Sequence, residues 1–128
     1  MADRKIQAPE INPDSAAFWK AAREGRFVIG RCTSCGEAHW YPRSRCPFCL
    51  CEAKLEPASG RGTIYTYSVM RRAPVPYAVA YVTLDEGPSM LTNLVDCDFD
   101  KLAIGQKVSV VVKKSEGDGP PVPMFKPV

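Results

Sequence analysis

Histidine is all but missing from this chain: His39 is the single one in 128 residues. A catalytic or ligand role for it would need partners that its surroundings, "EAHWYP", do not supply, so packing at the surface or in a hairpin is the expectation. No G-x-S-x-G, P-loop or dinucleotide-binding glycine pattern occurs, which removes the common nucleophile-elbow and nucleotide-dependent chemistries. There is no run of about 18 apolar residues and no charged-then-apolar leader, so a cytoplasmic protein that neither spans a membrane nor is secreted is expected. Concentrated charge is lacking too. Residues 1–59 carry nine basic against seven acidic side chains and residues 60–128 carry eight against seven, a net charge of +3 with no basic stripe. A protein that lives on a phosphate backbone usually gathers such a stripe, because counterion release drives its binding.

Cysteine is the residue that clusters. Five of the six lie within "RCTSCGEAHWYPRSRCPFCLC", residues 31–51. In a reducing compartment such bunching points to metal ligation rather than disulfides. Cys32 and Cys35 form one C-x-x-C, Cys46 and Cys49 a second, and ten residues lie between the pairs. Two such turns brought face to face, by a tight hairpin of the intervening residues, give a four-thiolate tetrahedral site. Gly36 after the first pair and Pro47 inside the second ease the turns. Zinc is favoured over rubredoxin-like iron and over thiol redox chemistry, because a closed S4 site leaves no open position for substrate. The physical need is plain, since a ribbon of some 30 residues cannot bury enough apolar surface to fold alone, whereas zinc supplies on the order of 10 kcal/mol or more. Cys51, two residues beyond Cys49, is a weaker rival for the fourth ligand, and Cys97 reads as a small core residue.

Twelve prolines and nine glycines suit short strands and turns. "NPDSAAFWKAAREG" predicts a helix capped by Asn12, with Pro13 in its first turn, Gly25 at its close and an apolar face of Ala17, Phe18, Ala21 and Ala22. That face leans on the domain's own body or on a partner. "RFVIGRC" predicts a strand into the cysteine cluster, and "CEAKLEPASG" an exit to a turn-rich boundary near 57–62. Strand-like runs follow at 63–70, 77–84, 89–96 and 107–114, with a tight turn in "DEGPS" and a helical turn in "CDFDKLAIGQ". The prolines of "PPVPMFKPV" predict an extended edge or surface segment, not a central strand. The fold class is therefore mainly β: a helical segment (1–25), a four-cysteine ribbon (26–59) and a small Greek-key barrel of the oligonucleotide/oligosaccharide-binding (OB) type (60–128).

Helix, ribbon and barrel in that order, with "FWKAAREGRFVIGRC", "YAVAYVTLDEGPSMLTNLVD" and the closing "PVPMFKP", resemble the rubredoxin-like zinc-ribbon/OB-fold family, long called a domain of unknown function. The resemblance implies a non-catalytic accessory subunit of a thiolase, thiolase-like aldolase or acyltransferase, with zinc on Cys32, Cys35, Cys46 and Cys49. It also implies that the barrel helps hold coenzyme A or acyl-CoA at the partner's active site. Arg71 and Arg72, in the proline-stiffened "MRRAPVPY", are candidates for the phosphates of coenzyme A, against a solvated charge pair. Tyr77 is a further candidate contact; like Tyr65, Tyr67 and Tyr81 it either stacks on adenine or covers the barrel. The rival class is a nucleic-acid-binding module, and a third is a rubredoxin-like electron carrier. With so little net charge, nucleic-acid affinity is expected to be weaker than about micromolar at physiological salt, and an anisotropy titration with single- and double-stranded oligonucleotides measures it.

Overall fold

A computed structural model describes residues 5–128. One helix, α1 (Ala16–Arg23), precedes a three-stranded antiparallel sheet and a closed five-stranded barrel. The helix starts later than its sequence suggests. Ser15 holds the N-cap position, and the Asn12 side chain instead caps the preceding turn by accepting from the Ser15 N–H at 3.0 Å. The other end behaves as expected. Gly25 sits at φ 79°, the Gly25 N–H donates to Ala22 and the Arg26 N–H to Ala21, which together satisfy the last carbonyls. Phe18, Trp19, Ala21 and Ala22 are buried, so Trp19 takes the place assigned to Ala17, which is exposed. They pack on Val28 and on the chain's own sheet.

The sheet has the order β2-β1-β3, with β1 Val28–Cys32, β2 Ala38–His39 and β3 Ala53–Pro57. β3 was not legible as a strand. "AKLEP" is apolar-poor because only one side is partly covered, yet it pairs with β1 over five residues, from Val28↔Pro57 to Cys32↔Ala53. Nor do the ten residues between the cysteine pairs form the expected hairpin. Each pair sits instead at the tip of its own reversal, the first between β1 and β2, the second closed by the Arg45↔Glu52 bridge.

The barrel runs β4-β5-β6-β8-β7, with β4 (Arg61–Met70), β5 (Tyr77–Leu84), β6 (Ser89–Leu94), β7 (Lys107–Lys113) and β8 (Val122–Pro127). β4 closes it by pairing with β7 at Arg61–Thr63 and with β5 along most of its length, bending at a bulge at Tyr65. A short 3-10 turn, Phe99–Lys101, fills the link between β6 and β7. The proline-rich tail is a correction. β8 is an internal barrel strand, antiparallel to β7 over six residues and parallel to β6 at Leu94↔Phe125. The Val95 N–H donates to the Phe125 carbonyl and the Val128 N–H to that of Lys107, so odd positions of β8 face β6 and even ones face β7. Pro123 and Pro127 thus fall on the side where the ladder is short, and their missing N–H groups cost little.

Helix, sheet and barrel are one packed body. Along β1, Val28 faces the helix while Ile29 joins Ile64, Val82, Leu94 and Phe125 in the barrel core. A file of rings links the two cores: Phe18 to Trp40 at 5.2 Å, Trp40 to Phe27 at 5.9 Å and Phe27 to Phe125 at 6.1 Å. No helix among the described residues is long and apolar enough to cross a membrane. Within the barrel, β4 and β5 approach so closely at Gly62 that a Cβ would stand 2.6 Å from Val82 Cγ1 and 2.8 Å from the Thr83 carbonyl oxygen. Gly62→Ala is therefore expected to lower stability by about 1–3 kcal/mol, since a ladder carbonyl has nowhere to move. Urea titration of the metal-loaded chain reads this as a lower midpoint at unchanged slope.

Candidate functional site

The two cysteine turns are built alike. In the first, the Cys32 N–H donates to the Glu37 carbonyl, and the N–H groups of Ser34 and Cys35 both point at Cys32 Sγ from 3.3 Å. In the second, the Cys46 N–H donates to the Cys51 carbonyl, and the Phe48 N–H points at Cys46 Sγ from 3.3 Å. The residue after each pair turns left-handed: Gly36 at φ 76° and, without glycine's freedom, Leu50 at φ 65°.

The sulfurs of Cys32, Cys35, Cys46 and Cys49 lie within 4.8 Å of one another, with Cys32 to Cys49 at 3.4 Å and Cys35 to Cys46 at 3.7 Å. A tetrahedron with zinc–sulfur bonds of about 2.3 Å has edges of about 3.8 Å, so the donor set fits in number, type and spacing. Electrostatics agree. The N–H groups of Cys35 and Ser34 bring the Cys32 thiol down to about 6. The Glu37 N–H favours a thiolate at Cys35 as well, but burial and the neighbouring thiols outweigh it and push Cys35 up to about 12. One thiolate forms readily here, at Cys32, and a second beside it, at Cys35, is opposed until a cation neutralises the pair. Cys51 is exposed and its sulfur stands outside this group, although its backbone carbonyl braces the second turn.

The remaining site candidates are scattered. Arg71 is committed to Asp100 on the 3-10 turn, at 2.8 Å, in an exposed ion pair. Arg72 is exposed beside it. Tyr77 opens β5 and lines a cavity of about 730 Å³ with Asp96, Cys97, Lys113 and Lys114, a wall that neither arginine joins. Sequence reading missed these lysines, although "KK" at the end of β7 was a visible signal; Lys113 pairs with Asp96 at 2.8 Å. Cys97 packs against the barrel core, where burial, with Asp96 and Asp98, pushes its thiol up. Tyr67 bonds the Leu102 carbonyl at 2.9 Å, whereas Tyr65 and Tyr81 point into solvent. His39 is fully buried over Gly30, and burial together with Arg43 holds its imidazole below the usual range.

A rubredoxin-like ribbon whose sheet packs into a five-stranded OB-type barrel defines a two-part class of zinc-ribbon protein. Family profiles match both parts: residues 19–53 the "ChsH2, rubredoxin-like zinc ribbon domain" and residues 55–113 the "ChsH2, C-terminal OB-fold domain". A DUF35 domain-containing scaffold protein of Methanothermobacter thermautotrophicus is 37% identical over 115 residues, 83% of this chain and 86% of that one. The chain belongs to this ChsH2/DUF35 family. A probable enoyl-CoA hydratase alpha subunit of Thermomonospora curvata is also 37% identical, over 93% of this chain, which spans only 39% of that subunit's length. Among solved structures, a chain of the Ltp2-ChsH2(DUF35) aldolase superposes with TM-score 0.82 at 35% identity, covering 93% of this chain and 98% of that one.

Serine at Cys32, Cys35, Cys46 or Cys49 is expected to remove most of one bound zinc per chain and to melt the ribbon, while Cys51→Ser and Cys97→Ser leave metal content intact. Elemental analysis and circular dichroism test this. Protons compete for the thiolates, so zinc retention against a chelator should weaken as pH falls.

Proposed function

We propose that this chain is a non-catalytic, zinc-stabilised accessory subunit of a thiolase-like enzyme, acting in the reducing cytoplasm, where it binds the partner and helps position acyl-CoA for Claisen, retro-Claisen or acyl-transfer chemistry. The observation that carries the reading is the likeness over nearly all of a chain from a complex named as an Ltp2-ChsH2(DUF35) aldolase. The scaffold name of the archaeal relative agrees with it. Cys32, Cys35, Cys46 and Cys49 would hold zinc as a structural tie. That use leaves these thiols unavailable as nucleophiles, so bond making falls to the partner. The ribbon (26–59) and barrel (60–128) act as separate functional parts, the first for shape and the second for coenzyme A, with Arg71, Arg72 and Tyr77 as its contacts. Since Arg71 is held by Asp100, it would have to exchange that exposed partner for a phosphate, an inexpensive swap for a surface pair.

Two measurements test this. Affinity purification from the native organism is expected to bring down a thiolase-like subunit; a hydratase instead would favour the kind of complex named for the Thermomonospora relative. In the reconstituted complex, changing Arg71 and Arg72 together to Ala should raise KM for acyl-CoA about tenfold with kcat nearly unchanged, as when uniform binding is lost. A truncated thioester without the nucleotide should be hardly affected. Equal loss with both substrates would assign the arginines to assembly, and robust turnover by the chain alone would overturn the accessory role.

A further inference from the structure

At the end of β5 opposite Tyr77, the barrel and the second cysteine turn flank a cleft of about 550 Å³ whose wall includes Arg31, Glu37, His39, Arg43, Phe48 and Glu86. Two of its polar groups are unfinished. His39 is 2% exposed, and neither ring nitrogen has a hydrogen-bond partner among the described residues. Glu86 uses one carboxylate oxygen to accept from the Ser59 N–H at 2.8 Å, while its other oxygen is buried without a partner among the described residues. A buried donor or acceptor left unpaired gives up its hydration without a return, so such groups point to something that completes them.

Beside this cleft the barrel presents an apolar row. Tyr81 and Leu91 are cross-strand partners on the outer face of β5 and β6, and Tyr65 stands at the β4 bulge next to the partner of Tyr81. Ile104 flanks them, because the Gly105 N–H donates to the Ile64 carbonyl. All four are exposed, Tyr65 at 68% and Leu91 at 59%. The row reaches the cleft through Ser89, which shares the outer face with Leu91 and lines the cleft. On the far wall Phe48 is 67% exposed. Together the four barrel side chains offer on the order of 400–500 Å² of apolar surface, about half of what one partner contributes to a standard interface. The remainder would come from Phe48 and the cleft.

Charge decides what kind of occupant fits. β5 and β6 contain no charged residue, and the two arginines of the cleft are balanced by its two glutamates. A polyanion finds no net attraction here. A polypeptide loop suits the surface, because its side chains cover the apolar row while its main-chain N–H and C=O groups, neutral overall, serve the Glu86 oxygen and the His39 ring. We propose that this face, from Phe48 across the cleft to Leu91, Tyr81 and Tyr65, is where the chain docks on its thiolase-like subunit, with a loop of that subunit entering the cleft. This rests on the accessory-subunit reading above.

The experiment uses the intact chain and the purified thiolase-like subunit. Leu91→Glu and Tyr81→Glu alter exposed positions, so melting temperature and metal content should stay as in the wild type while affinity falls at least about thirtyfold in calorimetric titration. A photo-crosslinker in Phe48→p-benzoylphenylalanine should capture the subunit, and the same probe at Lys20 on the helix should not. Unchanged affinity of both charge variants, or capture from Lys20 but not from position 48, would overturn the proposal. Sedimentation of the chain alone bears on the occupant: a dimer that Leu91→Glu dissociates would mean that a second copy covers the face, which also overturns it. Failure of the wild-type pair to associate would sink the accessory-subunit reading and this surface with it, whereas association that ignores both glutamates sinks only the surface.

Discussion

Everything in this molecule hangs on a strand that is buried on both sides. Successive side chains of a strand point to opposite faces, and β1 uses that alternation to serve two cores at once, Val28 under the helix and Ile29 in the barrel. The same strand ends in Cys32, so the cysteine cluster, the helix and the barrel all take their position from five residues. Gly30, between the two apolar faces, has no side chain, and the ring of His39 lies over it. A larger residue there would meet the imidazole directly. The metal site thus does more than shape its own two turns: it fixes the end of the strand against which the rest is assembled.

Much of this was legible because the signals were local. Alternating β-branched and aromatic residues marked β4, β5, β6 and β7, and the two C-x-x-C pairs marked the cluster without any knowledge of how the chain runs between them. What failed to show were features decided by long-range partners. β3 is apolar-poor, and only its ladder to β1 makes it a strand. β8 looks unsuited to the middle of a sheet because its prolines lack donors, yet which side of a strand those donors would have faced depends on the barrel's register. The helix start slipped by one turn because Asn12 and Ser15 are both good capping residues, and nothing local ranks them.

The site was legible to different depths. The four ligands follow from spacing, and geometry separates Cys51 from them. Placing Arg71, Arg72 and Tyr77 in one neighbourhood is reasonable from a shared loop, but Arg71 finds Asp100 across the barrel end while Tyr77 turns to a cavity bounded by Lys113 at the end of β7 and Lys114 just beyond it. Exposure was the hardest property to foresee. The tyrosines of β4 and β5 have the same strand-forming character, yet Tyr67 is drawn inward to the Leu102 carbonyl while the bulge leaves Tyr65 outside. A single extra residue in a strand changed the face of a ring, and no composition rule carries that information.

The place of β8 in the barrel sets an order for biosynthesis. The helix, both cysteine turns and β1 to β3 precede the barrel in the chain, and they meet it at Ile29 and its neighbours and, under the helix, at Val122. Strands β4 to β7 follow, but the wall between β6 and β7 stays open until residues 122–127 have cleared the exit tunnel. During that interval two strand edges stay unpaired, β6 without any charged side chain to discourage foreign pairing. The nascent barrel is therefore most vulnerable between the synthesis of β7 and that of β8, and the proline-rich strand is the one that ends the exposure.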